Sequence, residues 1–232
     1  MSNVSHQKRE VAMSWTQQNE KLIGINGEVL DLWPQEYWYV APARTSYRRG
    51  EGVVKPLEFA FLLHNAVKGE GLVNCLNVLL EGIEPATMKG GAGADAERLL
   101  EVIRQRDHSL LPSRLRSYFL NYDKAVAEAR AKAMFRGQRK LVRCHLIRNG
   151  GRYHFADIDL YERLEGRPTD ESLAKKYWET FIPSDEASRA RLEVLADSAL
   201  YFPDWRQFQT LDDHALMLWS FDNPPPQRAT DG

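Results

Sequence analysis

The chain has 232 residues, 43% hydrophobic and 27% charged, enough for a substantial core in one large or two small domains. Its 31 basic and 32 acidic residues leave a formal charge of −1, so no global field draws it to nucleic acid or to an acidic membrane. The two cysteines, Cys75 and Cys144, lie far apart among apolar neighbours, which argues against a disulfide framework and against a cysteine-rich zinc site.

No HExxH or CxxC pattern occurs, so a metal is not expected. No apolar run approaches the roughly 18–20 residues that span a bilayer. The first 22 residues lack the apolar core of a cleaved signal peptide. Residues 1–28 read as a polar, mobile arm, 29–222 as a single domain, and 223–232 as a proline-led tail.

Glu36 to Val40, dense in aromatic and β-branched residues, predicts the first strand, stopped at Ala41-Pro42. The loop Arg44-Thr45-Ser46-Tyr47-Arg48-Arg49 that follows is either an anion site or solvated charge. Leucines recurring from Pro56 to Glu84 predict two helices broken at Gly69–Gly71, with His64 a core histidine. Met88 to Ala94 lacks the order of a phosphate loop and reads as a connector. Asp95 is the expected cap of a helix carrying Ala96, Leu99, Leu100 and Ile103. Ser113 to Leu120 is strand-like, and Asp123 caps an alanine-rich helix from Lys124 to about Phe135.

Leu141–Ile147 and Tyr153–Tyr161 flank Asn149-Gly150-Gly151 and predict a hairpin. On its return strand Asp157 and Asp159 would share a face, suited to acid–base work or a cation, or simply to solvent. Pro168-Thr169-Asp170 opens a helix carrying Leu173, Ala174, Tyr177 and Trp178. Arg191–Leu195 and Ala199–Phe202 read as two short strands about a turn at Asp197-Ser198, and Leu216–Phe221 as a last strand. Glu193, alone, is either the solvent-side residue of a half-buried strand or an acid beside buried apolar surface.

Three blocks in order carry a resemblance. Tyr37-Trp38-Tyr39-Val40, then Pro112-Ser113-Arg114-Leu115-Arg116-Ser117-Tyr118-Phe119, then Arg191-Leu192-Glu193-Val194-Leu195 are similar to the three motifs of the ADP-ribosyltransferase superfamily. The middle of the chain, with Glu101-Val102-Ile103-Arg104, Pro112-Ser113-Arg114-Leu115, Ala156-Asp157 and Ala174-Lys175-Lys176-Tyr177-Trp178, also resembles an uncharacterised bacterial family of the same layout, and the resemblance covers residues 36–202. The resemblance implies an α+β fold with a split, mixed β-sheet core and flanking helices. It implies a mono-ADP-ribosyltransferase that consumes NAD as substrate and modifies a protein.

Related bacterial effectors act on host proteins, one group on a threonine of ubiquitin. Location in the bacterial cytoplasm or in a host cell after specialised secretion is equally compatible, and a monomer is expected. By the same resemblance Glu193, Tyr39 and Ser117 are catalytic. Tyr39, Arg44, Ser113, Arg114, Tyr118, Phe119 and Asp157 would contact NAD.

Arg114, with Arg44 next, would hold the pyrophosphate. Asp157 rivals Glu193 as the key acid. Arg191 stands where arginine-modifying relatives carry Glu or Gln, which disfavours arginine as acceptor. Modification of RNA or a small molecule, or an inactive binding module on the same fold, are the alternatives.

Overall fold

The structure is a computed structural model that describes residues 15–42, 55–74, 92–135, 139–180 and 182–208. It mixes helices and sheets. A meander of β1 (Trp15–Gln18), β2 (Lys21–Gly24) and β3 (Val29–Asp31) opens it. β1 and β2 lie within the segment expected to be a mobile arm. Asn19 adopts a positive φ in the first turn, and Leu22 and Leu32 seat the meander on Ile147 and Tyr201.

The main sheet uses β4 (Tyr37–Pro42), β5 (Leu72–Asn74), β6 (Tyr118–Asn121), β7 (Arg139–Asp157) and β8 (Leu192–Tyr201). Every strand pair among the described residues is antiparallel, unlike the expected mixed sheet. β4 pairs with β6, β6 with β8, β8 with β7, and β7 again with β4, so four strands close a ring. β5 adds to the free side of β8.

Two predicted turns are absent. The β7 segment does not fold back as a hairpin, because its two halves serve different partners. Residues 139–144 pair with β4, while 151–157 pair with β8. The turn residues make a bulge instead: Leu146 faces Leu200 and Gly151 faces Ser198, so Ile147 to Gly150 stand opposite Ala199 alone. Asn149 and Gly151 take φ of 61° and 146°, and a Cβ on Gly151 would come 2.5 Å from Asp197 O. In β8, Asp197 and Ser198 continue the strand rather than turn it. Asp197 is buried and paired with Arg152 of β7, which supplies the charge that a turn would have found in water.

The helices are α1 (Lys55–Lys68), α2 (Ala92–Asp107), α3 (Lys124–Phe135), α4 (Ile158–Glu165), α5 (Glu171–Trp178) and α6 (Glu186–Ala190). α1 ends before Gly69–Gly71 as predicted, and Leu72–Asn74 form β5, while the rest of the stretch predicted as a second helix, with Leu76, Leu79 and Leu80, lies outside the described residues. α2 begins before Asp95, which lies within its first turn instead of capping it. Asp123 caps α3 by accepting from Val126 N at 2.9 Å, and Asp170 caps α5 by accepting from Ser172 N and Leu173 N. The second strand predicted to reach Tyr161 stops at Asp157, whose carboxylate accepts from Asp159 N and starts α4. Of the connector predicted from Met88 to Ala94, Ala92 to Ala94 start α2 instead, while its first part lies outside the described residues, as do the run Leu216–Phe221 and Arg44 with its loop.

Strand alternation divides the sheet into two faces. Tyr39, Leu120 and Val194 follow one another in register and join α1 residues Leu62 and Leu63 in one core. Phe119 and Leu195, one residue along, turn to the other face, where α2, α4 and α5 bury Leu100, Tyr177 and Trp178 in a second core. Trp178 Nε1 donates to Leu100 O at 2.9 Å and ties α5 to α2. Each large side chain buried here contributes about 1.5–3 kcal/mol.

Candidate functional site

Glu193 lies on the helix-covered face of β8. Its register partners are Asn121 and Ala156, and it is 4% exposed. A carboxylate so placed needs partners, and three elements supply them. Arg114 Nη1 donates to Glu193 Oε1, and Tyr177 Oη of α5 donates to the same oxygen at 2.7 Å. Arg114 Nη1 also donates to Tyr177 Oη. On its other side, Arg114 Nε donates to Glu97 of α2, at 3.0 and 2.9 Å from the two carboxylate oxygens. No described residue hydrogen-bonds Glu193 Oε2.

The polar chain before β6 explains how an arginine reaches this point. Ser113 adopts extended backbone, and its hydroxyl accepts from Leu115 N, starting a 3₁₀ turn over Arg114–Arg116. That hydroxyl donates to Glu101 Oε2 at 2.8 Å, while Ser117 Oγ donates to Ser113 O at 2.7 Å. Both serines therefore fix the turn that aims Arg114 inward. Glu101 also accepts from Arg104 and Gln105. Burial pushes the Glu101 carboxyl up, but hydrogen bonds from Arg104 and Ser113 outweigh it and hold it below its usual value.

Aromatic rings enclose the guanidinium: Arg114 Cζ stands 4.1 Å from the Tyr161 centroid, 4.8 Å from Phe119 and 5.2 Å from Tyr177. Burial disfavours the charged guanidinium, yet Glu193, Tyr177 and Glu97 hold its pKa well above the usual arginine value. Burial likewise pushes the Tyr177 phenol well up, opposed by Arg114 and reinforced by Glu193. His154 completes the layer, its ring packed against Tyr177 and Trp178. Its Nε2 lies 3.1 Å from Tyr177 O, and burial, against that hydrogen bond, lowers its pKa to about 4.

The sequence-predicted site residues thus separate. Glu193, Arg114, Phe119, Ser113 and Ser117 assemble on the side of α2, α4 and α5. Tyr39 and Tyr118 lie on the opposite face, their rings edge to face at 6.0 Å inside the first core. Arg114 is committed to two carboxylates and is buried. Asp157 caps α4 and, with Asp159, pairs with Arg191 at 3.5 and 2.7 Å. Sequence reasoning missed Glu97, Tyr161 and the role of Tyr177. A signal for Glu97 exists: Glu97 and Glu101, four apart on α2, border its apolar stripe.

An open cleft of about 420 Å³ lies elsewhere, lined by Trp38, Phe208, Lys140, Arg143, Glu36 and Asp204, among others. Arg143 Nη1 donates to Glu36 at 2.8 Å, and Arg143 Nη2 to Asp204 at 3.0 Å. Among the described residues no group of His, Cys, Asp or Glu is placed to hold a metal ion, and no helix is long and apolar enough to cross a membrane. No family model matches the sequence, and no curated protein matches it at a significant level.

Proposed function

We propose that this chain is a mono-ADP-ribosyltransferase that consumes NAD, with Glu193 as the acid that steadies the transition state. The observation that carries the reading is the way Glu193 is held. Arg114 and Tyr177 pin Oε1, while Oε2 has no hydrogen bond from a described residue. A carboxylate fixed through one oxygen keeps the other for a ligand. The ordered resemblance of the three sequence blocks supports the same reading.

In this reaction the bond between ribose C1′ and the nicotinamide nitrogen breaks, and its electron pair neutralises the pyridinium. Positive charge spreads over the ribose ring until an acceptor nucleophile attacks C1′ and gives up its proton. A preorganised carboxylate lowers the energy of that cationic state more than that of the bound substrate, and its Oε2 can accept from a ribose hydroxyl.

Arg114 acts here as a positioning residue for Glu193, not as the anchor of the pyrophosphate. Asp157 is less suited to the acid's role, because capping α4 and pairing with Arg191 already occupy it. With Glu193 4% exposed, turnover requires the residues over Oε2 to part when NAD binds, while Arg114 and Tyr177 keep their hold on Oε1. The acceptor is a protein in this reading, since a near-neutral chain offers little to the phosphates of RNA.

A second reading is favoured by one specific observation. The guanidinium of Arg114, closed in by two carboxylates and three rings, is complete as a clamp between sheet and helices. A binding module without turnover needs no more than that. Nicotinamide release from NAD separates the two, and labelled NAD in a cell lysate, followed by mass spectrometry, identifies what is modified. Release that Glu193→Gln abolishes upholds the transferase; no release from the wild-type chain upholds the module.

A further inference from the structure

Glu97 is the third charge in the cluster around Glu193, and neither the sequence blocks nor the reaction above gives it a task. Its carboxylate meets Arg114 at Nε, on a different edge of the guanidinium from the Nη1 that meets Glu193. The rings of Tyr161, Phe119 and Tyr177 hold the guanidinium plane between the two acids. Two carboxylates and one guanidinium sum to a single net negative charge.

That sum matters for a carboxylate asked to steady a cation. Facing Glu193 alone, Arg114 would cancel its charge, and a neutral pair exerts little field on a sugar a few ångströms away. We infer that Glu97 is a positioning and charge-balancing residue, which engages Arg114 so that Glu193 stays held by the guanidinium without being neutralised by it. The inference rests on the transferase reading. It goes beyond it by assigning the electrostatic balance of the site to a residue that reaches Glu193 only through Arg114.

Because the balance acts on the charge that develops in the transition state, its loss falls on kcat and spares KM. Steady-state nicotinamide release is measured for the wild-type chain, Glu97→Gln, Glu97→Asp and Glu193→Gln, beside the thermal midpoint of each. The expected result is a fall in kcat of about tenfold for Glu97→Gln, with KM for NAD within about twofold, and recovery of most of the activity in Glu97→Asp. Aspartate restores the charge but not the packing, so equal losses in both variants would mean a merely structural role and overturn the inference. Undiminished kcat in Glu97→Gln, with Glu193→Gln inactive, overturns it as well while leaving the transferase reading intact. No release from the wild-type chain, or full release from Glu193→Gln, removes the reading itself and the inference with it.

Discussion

Arg114 and Arg143 each sit between two carboxylates, yet water reaches one cluster and not the other. The side chains of Glu97, Arg114 and Glu193 are 14%, 6% and 6% exposed. Those of Glu36, Arg143 and Asp204 are 41%, 36% and 37% exposed. The pairing chemistry is the same, but its consequences differ. In water the attraction around Arg143 is screened and offset by side-chain entropy, so such pairs contribute about 0–1 kcal/mol. Around Arg114 the charges are already desolvated, and removing one partner strands the others. That typically costs about 3–5 kcal/mol. Pairing alone says little about a cluster until its burial is known.

The largest expected effect lies in the buried cluster. Arg114→Ala should lower unfolding free energy by about 3–5 kcal/mol in urea titration, because two carboxylates lose their counter-charge. Replacing Glu97, Arg114 and Glu193 together by apolar residues of similar volume should cost less than Arg114→Ala alone. A greater loss in the triple variant would break the comparison.

Acid tests the same layer through His154. Its pKa falls from the ordinary 6.5 to about 4 on burial, so the unfolded chain binds the proton first as pH drops. Stability is therefore lost between about pH 6.5 and about pH 4, by about 3 kcal/mol in total, and levels off below. Unfolding curves at pH 7 and pH 4.5 should diverge less in His154→Gln than in the wild-type chain. An equal divergence would show that His154 is not what acid attacks.

Smaller effects belong to the surface. Asp157→Ala removes the α4 cap and should cost about 1 kcal/mol without changing nicotinamide release. Arg143→Ala should cost less than about 1 kcal/mol, and the difference from wild type should shrink further in 0.5 M salt. A loss as large as that of Arg114→Ala would show that exposure does not separate the clusters.

Legibility in the sequence followed how local each signal was. The cap Asp123, the helix start at Pro168-Thr169-Asp170 and the break at Gly69–Gly71 depend on neighbours a few residues away, and all appear in the structure. Asn149-Gly150-Gly151 shows the limit. Its positive φ values suit a hairpin or a bulge equally, and only the separate pairing of residues 139–144 with β4 and 151–157 with β8 selects the bulge. Asp197-Ser198 reads as a turn until Arg152 on the neighbouring strand provides a partner.

The candidate site was half legible. Glu193 and Arg114 were singled out, but their meeting depends on residues far apart in the chain and on a serine-fixed 3₁₀ turn inside a stretch that reads as strand. Tyr39 shares the sheet with Glu193, yet its strand parity sends it to the other core. Tyr177 looked like one more apolar contact of α5, since nothing in its own segment announces that its hydroxyl meets an acid on β8.

In the proposed reaction the carboxylate of Glu193 performs chemistry on NAD. Glu193→Gln keeps the shape and leaves Arg114 paired with Glu97, so the fold should survive. Nicotinamide release is therefore compared in the folded wild-type and Glu193→Gln chains. The expected result is release by the wild type and a loss of about 10²–10³-fold in the variant, the usual effect of removing one preorganised group. Equal release by both, or none from the wild type, would contradict it.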